Sequence, residues 1–238
     1  NEDWGYRQRV DITNSGSAQT DFQVAVTLDT ATLITAGKMQ SNCNDIRVTD
    51  VNGKVLSFWI ETGTTGSGGK ACNSTTTQIW VKVPSISTTG NTLYVYYGNP
   101  QASNTQNGDN VFEFFDDFSG SAVNGSKWTA GTTNATSGTD WSVSGGNLNG
   151  GNQHRYLQSV KNFTGDYSVH GRSNTTTDNA NGFSVIGFWA STSNSFGILD
   201  HDNSSFYRND STWTNFSFDG TGQWSRNVAT VSGTTASF

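Results

Sequence analysis

The chain has 238 residues and a net charge of −6, and only 13% of its residues are charged. The acidic balance without a basic cluster argues against nucleic acid as a partner, and no apolar run approaches the roughly 20 residues of a membrane span. The 8 Trp, 7 Tyr and 14 Phe exclude a disordered chain, because disordered sequences are poor in aromatic residues.

Short apolar segments that alternate with polar residues run through the first half, and turn-forming residues separate them. One helical turn is expected at residues 31–36, capped by Asp29 or Thr30 and ended by Gly37. The Asn52-Gly53 pair predicts a hairpin with a type I′ turn, in which both residues have positive φ. Six strands are expected, at residues 6–13, 22–28, 45–49, 55–60, 78–83 and 92–97.

Cys43 and Cys72 are the only cysteines of the chain. A small even number of cysteines in a Lys-poor chain rich in Ser, Thr and Asn favours one disulfide and an oxidising, extracellular compartment. Two free thiols in the core are the alternative. The chain begins at Asn1 instead of Met, which is expected where a leader peptide was removed or the sequence was trimmed.

A polar, turn-rich segment after Gly98-Asn99-Pro100 predicts two domains. We place the first domain at residues 1–103, a linker at 104–110 and the second domain at 111–238. The fold class is all-β, with two tandem antiparallel β-sandwiches of the jelly-roll kind. In the second domain strands are expected at residues 111–118, 141–144, 155–160, 167–171, 183–190, 196–200, 206–208, 213–218 and 228–231.

Five motifs of the first half follow the order and spacing of a known family. They are Trp4-Gly5-Tyr6-Arg7, Asn-Asp-Ile-Arg at 44–47, Phe-Trp-Ile-Glu at 58–61, Ile-Trp-Val-Lys-Val-Pro at 79–84 and Leu-Tyr-Val-Tyr-Tyr-Gly-Asn at 93–99. Through them the first half resembles a domain-of-unknown-function family of secreted, modular surface proteins of archaea and bacteria. The resemblance implies a β-sandwich in an extracellular setting and no established activity.

Other motifs characterise the second half. They are Phe115-Asp116-Asp117-Phe118, Trp128, Trp141-Ser142-Val143, Gly145-Gly146-Asn147-Leu148 and Gly165-Asp166-Tyr167-Ser168-Val169. Through them this half resembles concanavalin A-like or laminin G-like jelly rolls, which include lectins, adhesion modules and some glycoside hydrolases. Such domains usually need more than the 128 residues at 111–238 to close both sheets. We therefore expect a fragment of a longer protein, or a sheet completed by a strand of a neighbouring chain.

Catalytic motifs are not apparent in the sequence. Hydrolases related to these jelly rolls carry Glu-x-Asp-x-x-Glu on one strand, and Glu2, Glu61 and Glu113, the only glutamates, begin no such motif. No Gly-x-Ser-x-Gly nucleophile elbow occurs beside the three histidines. We therefore predict that the protein is not an enzyme, with a glycoside hydrolase as a remote alternative.

Asp116 and Asp117 lie where concanavalin A-like domains often hold a structural calcium ion. Calcium prefers carboxylate, amide and carbonyl oxygens, so we consider calcium as the only cofactor, with Asp117 as the leading ligand. The alternative is an ordinary turn, in which Asp and Asn are common. Adjacent strand residues point to opposite faces, so the two carboxylates are expected to diverge.

Residues 201–218 combine aromatic rings with hydrogen-bonding side chains, which is the composition of a sugar-binding surface. Burial of the aromatic residues in a sandwich core is the alternative. Alternation along the strand puts Tyr207 on the face opposite Phe206 and Arg208. The predicted glycan-binding residues are Asp202, Asn203, Tyr207, Arg208 and Trp213.

Eight Asn-x-Ser/Thr sequons occur, at Asn73, Asn124, Asn134, Asn162, Asn174, Asn203, Asn209 and Asn215. A chain with 25 Asn, 29 Ser and 33 Thr contains nearly as many by chance, so the sequons permit glycosylation without arguing for it.

We predict a non-catalytic extracellular surface protein that binds glycans as an adhesion module. The alternative is a structural subunit of an extracellular filament, surface layer or fibre, in which neighbouring copies join by strand pairing. The expected partners are glycans or other copies of the chain. Neither nucleic acid nor membrane insertion is expected.

Overall fold

A computed structural model describes residues 4–63, 70–132, 141–150, 155–173, 183–189, 195–201, 204–209, 212–216, 225–232 and 235–237. The chain divides into two compact units, residues 1–116 and residues 117–238. Most regular structure in both units is antiparallel β-sheet, which confirms the all-β prediction.

The first unit contains two antiparallel sheets. Its elements are β1 (Tyr6–Ile12), β2 (Gln19–Leu28), α1 (Thr30–Thr35), β3 (Arg47–Asp50), β4 (Val55–Leu56), β5 (Phe58–Ile60), β6 (Thr77–Ile86), β7 (Asn91–Tyr97) and α2 (Gly108–Val111). One sheet has four strands in the order β1-β7-β3-β4, and the other has three in the order β2-β6-β5. Five of the six predicted strands of this unit are confirmed, with ends that differ by a few residues. The strand predicted at 55–60 is two strands, β4 and β5, which belong to different sheets.

The core of the first unit lies between these two sheets. Val48 and Val95 of the four-stranded sheet join Ile79 and Val81 of the three-stranded sheet in one buried cluster. Alternate residues of each strand point inward, so the apolar half of the sequence pattern fills the sandwich. Burial of each such side chain contributes about 1.5–3 kcal/mol.

The predicted helical turn is confirmed, with Asp29 as its N-cap and Gly37 beyond its end at φ 67°. The predicted β3–β4 hairpin is also present, but its turn is not type I′. Gly53 has φ 83°, whereas Asn52 is not among the positive-φ residues. The backbone N–H of Gly53 donates to the carbonyl of Asp50, and this four-residue turn leaves one left-handed position, which Gly53 occupies.

The predicted strand at 111–118 is wrong, and the predicted linker at 104–110 belongs to the first unit. Residues 108–111 form α2, capped by the Asn107 side chain, and no strand follows before Trp128. Phe112 and Phe115, three residues apart, both contact Trp59 of β5. Burial of these rings against the sheet outweighs the alternation that predicted a strand.

The second unit contains antiparallel strands β8 to β18. They are β8 (Trp128–Thr132), β9 (Trp141–Ser144), β10 (Asn147–Gly150), β11 (Arg155–Ser159), β12 (Tyr167–Ser173), β13 (Phe183–Trp189), β14 (Ser195–His201), β15 (Ser204–Asn209), β16 (Thr212–Phe216), β17 (Ser225–Ser232) and β18 (Thr235–Ser237). Strands β13 to β16 form a meander in sequence order, β12-β17-β18 form a second sheet, and β9–β10 and β8–β11 are pairs. The prediction missed β8 and β10.

A two-residue turn connects β9 and β10. Ser144 pairs with Asn147, and Gly145 and Gly146 between them have φ of 59° and 72°. Two consecutive positive φ angles define the type I′ turn, which suits the twist of a tight hairpin.

Candidate functional site

The outer face of the four-stranded sheet is the candidate functional site. Along β1 and β7 the outward positions alternate with Val10, which packs against the core, and with the core positions Leu93 and Val95. We call this surface the arginine–tyrosine face; its residues are Arg7, Arg9 and Asp11 of β1, Thr92, Tyr94 and Tyr96 of β7 and Arg47 of β3.

Arg7 contacts both tyrosines of β7. It pairs across the strands with Tyr96, and its Nη1 lies 3.4 Å from the Tyr96 hydroxyl oxygen. Its guanidinium carbon lies 4.8 Å from the centre of the Tyr94 ring, within cation–π range. The hydrogen bond to Tyr96 raises the pKa of Arg7, so the side chain is a permanent, exposed cation.

Arg9 and Asp11 form an exposed ion pair on the same face. Nε of Arg9 donates to Oδ1 of Asp11 at 2.8 Å, and the hydroxyl of Thr92 donates to the same oxygen at 2.7 Å. The hydrogen bonds from Thr92 and Arg9 hold the pKa of Asp11 below its ordinary value. Asp11 therefore stays ionised and neutralises Arg9, whereas it leaves Arg7 unneutralised.

Arg47 has a structural role at the edge of this face. Its guanidinium donates to the backbone carbonyls of Asn44, Ile46 and Ser103, and its carbon lies 5.2 Å from the centre of the Trp4 ring. These carbonyls use its donors but do not cancel its charge. The face thus carries three guanidinium groups and one carboxylate, in a chain whose net charge is −6.

The outer face of the three-stranded sheet differs, because part of the same unit covers it. We call residues 104–116 the strap. Phe112 lies 5.8 Å from the ring of Trp59 and 5.6 Å from that of Trp80. The indole N–H of Trp80 donates to the buried carboxylate of Glu61 at 3.2 Å. These aromatic residues pack inside the unit and do not offer a binding surface.

The strap also bonds to the edge of β5. The side-chain oxygen of Gln106 accepts the Ile60 N–H at 3.0 Å, and the Asn107 N–H donates to the Phe58 carbonyl at 2.9 Å. The Val111 carbonyl accepts a hydrogen bond from the Gln23 side chain at 3.0 Å. The strap therefore satisfies backbone groups that an exposed edge strand would leave open.

The disulfide prediction is confirmed: Cys43 and Cys72 are bonded, with their Cα atoms 6.0 Å apart. The bond joins the segment before β3 to the segment before β6. Next to it, the Thr30 hydroxyl accepts the Asn73 N–H at 2.9 Å and bonds to the Thr77 hydroxyl at 2.6 Å. The disulfide and these hydrogen bonds fix the segment before β6 to the segment before β3 and to the start of α1.

Asp116 and Asp117 do not lie on a strand, so the divergence argued from strand alternation has no basis. Asp116 is half-buried, and the exposed Asp117 accepts the Ser119 N–H at 3.1 Å, as in an ordinary Asx turn. No group of three or more His, Cys, Asp or Glu that could hold a metal ion occurs among the described residues. The calcium site remains a prediction.

The structure brings only some of the predicted glycan-binding residues onto paired strands. Asp202 and Asn203 lie outside the described residues. Arg208 pairs with Trp213 across β15 and β16, and Tyr207 pairs with Thr214. The prediction of a common glycan surface for these residues stays a prediction.

The sequons differ in their positions. The side chains of Asn73, Asn124 and Asn162 are exposed in loops. Asn209 and Asn215 lie in β15 and β16. The remaining three, Asn134, Asn174 and Asn203, lie outside the described residues.

A shallow cleft of about 320 Å³ lies elsewhere on the first unit. Its lining includes the side chains of Asp21, Lys54, Lys82 and Asn110. It is open to solvent, and it holds neither a histidine nor a carboxylate pair that could act as acid and base.

Sequence reasoning missed the arginine–tyrosine face. The signal was present, since Arg7, Arg9 and Asp11 alternate with apolar or neutral residues, as do Tyr94 and Tyr96. What the sequence does not show is that β1 and β7 are neighbours 80 to 90 residues apart, because pairing depends on the tertiary fold.

The fold and this site define an all-β sandwich module whose outer sheet face carries exposed arginines and half-buried tyrosines. In comparison with known proteins, residues 42–131 match a family described as Domain of unknown function (DUF2341). The matched region begins before β3 and continues through the strap to β8, so it includes Phe115, Asp116 and Trp128, which also belong to the motifs that resemble the jelly roll.

No curated protein and no solved structure matches the chain. The resemblance of the second half to concanavalin A-like domains therefore stays an expectation. Among the described residues, no helix is long and apolar enough to cross a membrane.

Proposed function

We propose that the protein is a non-catalytic, extracellular surface protein that binds glycans, as an adhesion module does. The observation that carries this proposal is the arginine–tyrosine face. Tyr94 and Tyr96, both half-buried, lie on the outer surface of one sheet, about 7 Å apart along β7, with hydrogen-bonding groups around them. Sugar rings bind to such surfaces by packing C–H groups on aromatic rings and bonding their hydroxyls to polar side chains.

Two further features support an extracellular location. The disulfide between Cys43 and Cys72 persists in an oxidising environment, as in secreted proteins. Low charge and the abundance of Ser, Thr and Asn are also unlike an intracellular enzyme. A binding role needs no acid–base pair, and Glu61, the one buried glutamate among the described residues, bonds to Trp80.

A polysaccharide pull-down and a glycan array test this function. The full chain is compared with Tyr94→Ala and Tyr96→Ala, and Phe22→Ala serves as the control, since Phe22 is an exposed aromatic residue on the other sheet. We expect each tyrosine variant to lose binding and the control to keep it. Absence of binding to any glycan would contradict the proposal.

A second candidate function, a structural subunit that assembles by strand pairing, rests on β1. This strand lies at an edge of its sheet and pairs with β7 over seven consecutive residues without a bulge. In contrast, the edge strand β2 is interrupted at Asp21, which has φ 49° and no partner in the register. Electron microscopy of the purified protein tests this candidate: filaments or sheets would support it, and a monodisperse monomer at high concentration would contradict it.

A further inference from the structure

The charge of the arginine–tyrosine face indicates which glycans it accepts. Three of its residues are arginines, and Asp11 is its single carboxylate. The chain as a whole has six more acidic than basic residues, so this face has the opposite sign to the molecule that carries it. Such a local reversal attracts anions to this surface.

Arg7 is the cation on this face that remains available to a ligand. Asp11 neutralises Arg9, and three backbone carbonyls use the donors of Arg47. Within the described residues, the hydrogen bond of Arg7 is to the neutral Tyr96 hydroxyl, at a long 3.4 Å. Its planar guanidinium therefore keeps donors for a carboxylate or sulfate, which it can bind in a bidentate manner.

The tyrosines restrict the ligand further. Arg7 lies over the Tyr94 ring and beside the Tyr96 hydroxyl, so an anionic group bound at Arg7 is adjacent to both aromatic side chains. A polysaccharide supplies the anionic group and the sugar C–H surface on the same residue. A simple inorganic anion supplies only the first.

We propose that the arginine–tyrosine face binds acidic polysaccharides, with Arg7 bonding a carboxylate or sulfate group and Tyr94 and Tyr96 contacting the sugar ring. This inference rests on the proposed glycan-binding function and names its ligand class. Arg9, whose charge Asp11 neutralises, contributes through the hydrogen bonds that order Asp11 and Thr92.

The test measures binding of the full chain to polygalacturonate, to its fully methyl-esterified form and to dextran sulfate. Esterification removes the charge and keeps the backbone of the polymer. We expect Arg7→Gln to weaken binding to the charged polymers about tenfold, from the loss of a charge-assisted hydrogen bond. Arg7→Lys keeps the positive charge but loses the bidentate geometry of the guanidinium group. We therefore expect it to weaken binding less than Arg7→Gln does.

Lys82→Gln is the matched control, because it removes one positive charge from the other sheet. Circular dichroism confirms that the variants fold, and Arg9→Gln provides a second variant of the face. Equal losses in Lys82→Gln and Arg7→Gln would indicate unspecific charge attraction and would overturn the inference. Equal binding of the ester and the acid would also overturn it and leave the proposed function standing. Absence of binding to these polymers and to every glycan of the array would overturn both.

Discussion

Asp45 illustrates how single polar residues hold the first sandwich together. Its side chain is buried, and its two oxygens accept different backbone N–H groups, from Gln40 at 3.1 Å and from Gly98 at 2.8 Å. It therefore joins the segment before β3 to the end of β7. Buried polar groups that lose such partners destabilise a fold strongly.

We predict that Asp45→Asn lowers the free energy of unfolding by about 2 kcal/mol. The amide has one oxygen, so one of the two N–H groups would face another donor. Asp50→Asn is the matched control, because a single oxygen of Asp50 accepts both the Asn52 and the Lys54 N–H, and an amide oxygen can replace it. Urea denaturation measures both variants, and similar losses for the two would refute this role of Asp45.

Asp29 caps α1 and gives a pH-dependent contribution to stability. Hydrogen bonds from the backbone N–H and the hydroxyl of Thr32 lower the pKa of its carboxyl below the ordinary value. A lowered pKa in the folded state means that the ionised form is stabilised. The contribution is complete above the pKa of an unfolded aspartate and is lost as the pH falls through the lower, folded-state pKa.

We therefore expect an NMR titration of Asp29 to give a midpoint below about 3.9, the value for a free aspartate. Asp29→Ala should lower the melting temperature at neutral pH, because the Thr32 N–H loses its acceptor. Asp29→Asn keeps an acceptor and should remain stable without this acid-dependent loss. A titration midpoint at the ordinary value would contradict the cap.

Among the elements, the strap is the segment whose packing the sequence least revealed. Gly108 begins α2 and lies against the ring of Phe115, which a Cβ atom at this position would overlap. The absence of a side chain therefore allows the strap to approach Trp59 and Trp80. Glycine is needed at position 108 because a side chain there would clash with Phe115, and not because of its backbone conformation.

We predict that Gly108→Ala displaces Phe115 and destabilises the first unit by about 1–3 kcal/mol, as overpacking does. Gly125→Ala is the control, because a Cβ atom there meets nothing within 4 Å. Tryptophan fluorescence should shift to the red in Gly108→Ala as Trp59 and Trp80 become exposed. An unshifted spectrum and unchanged stability would show that the strap tolerates the methyl group.

The disulfide constrains the part of the chain from Cys43 to Cys72, which contains β3, β4 and β5. It closes a segment with a sequence separation of 29, which in the loop-entropy account stabilises the fold by about 3 kcal/mol through the unfolded state. We expect calorimetry of Cys43→Ala/Cys72→Ala to show a fall of this size. The hydrogen bonds of Thr30 and Thr77 remain in that variant, so it should still fold. Unchanged stability would contradict the constraint.

At the scale of the whole molecule, the boundary between the two units determines which residues the first unit needs in order to fold by itself. Contacts place it between Asp116 and Asp117, thirteen residues beyond the end of the predicted first domain at Ser103. The difference is the strap, whose residue Val111 is fully buried and which covers the two tryptophans of the three-stranded sheet. Without it, the outer face of that sheet would expose apolar rings to water.

We predict that a chain ending at residue 116 folds cooperatively and that one ending at residue 103 does not, or does so with much lower stability. Loss of the Phe112 and Val111 side chains alone removes several kcal/mol of apolar burial. Thermal denaturation followed by circular dichroism compares the two chains. Equal melting temperatures would show that the strap is dispensable for the first unit.

Much of the fold follows from local pattern. The strands of the first unit, the cap at Asp29 and the pairing of the only two cysteines could be predicted, since alternation and turn residues act within a few neighbours. The sequence predicts a type I′ turn at Asn52-Gly53, whereas the structure has one at Gly145-Gly146, because the length of the loop decides which hairpin accepts this turn.

The sequence by itself determined the all-β class, the strand regions of the sandwich and the residues able to form a disulfide, because side-chain alternation and covalent chemistry are local properties. Only the tertiary structure decided that β1 lies beside β7, which brings Arg7 onto Tyr94 and Tyr96. It also decided that residues 108–116 cover a sheet instead of forming a strand. Both outcomes depend on burial between segments distant in the chain, and that energy is absent from any local window of sequence.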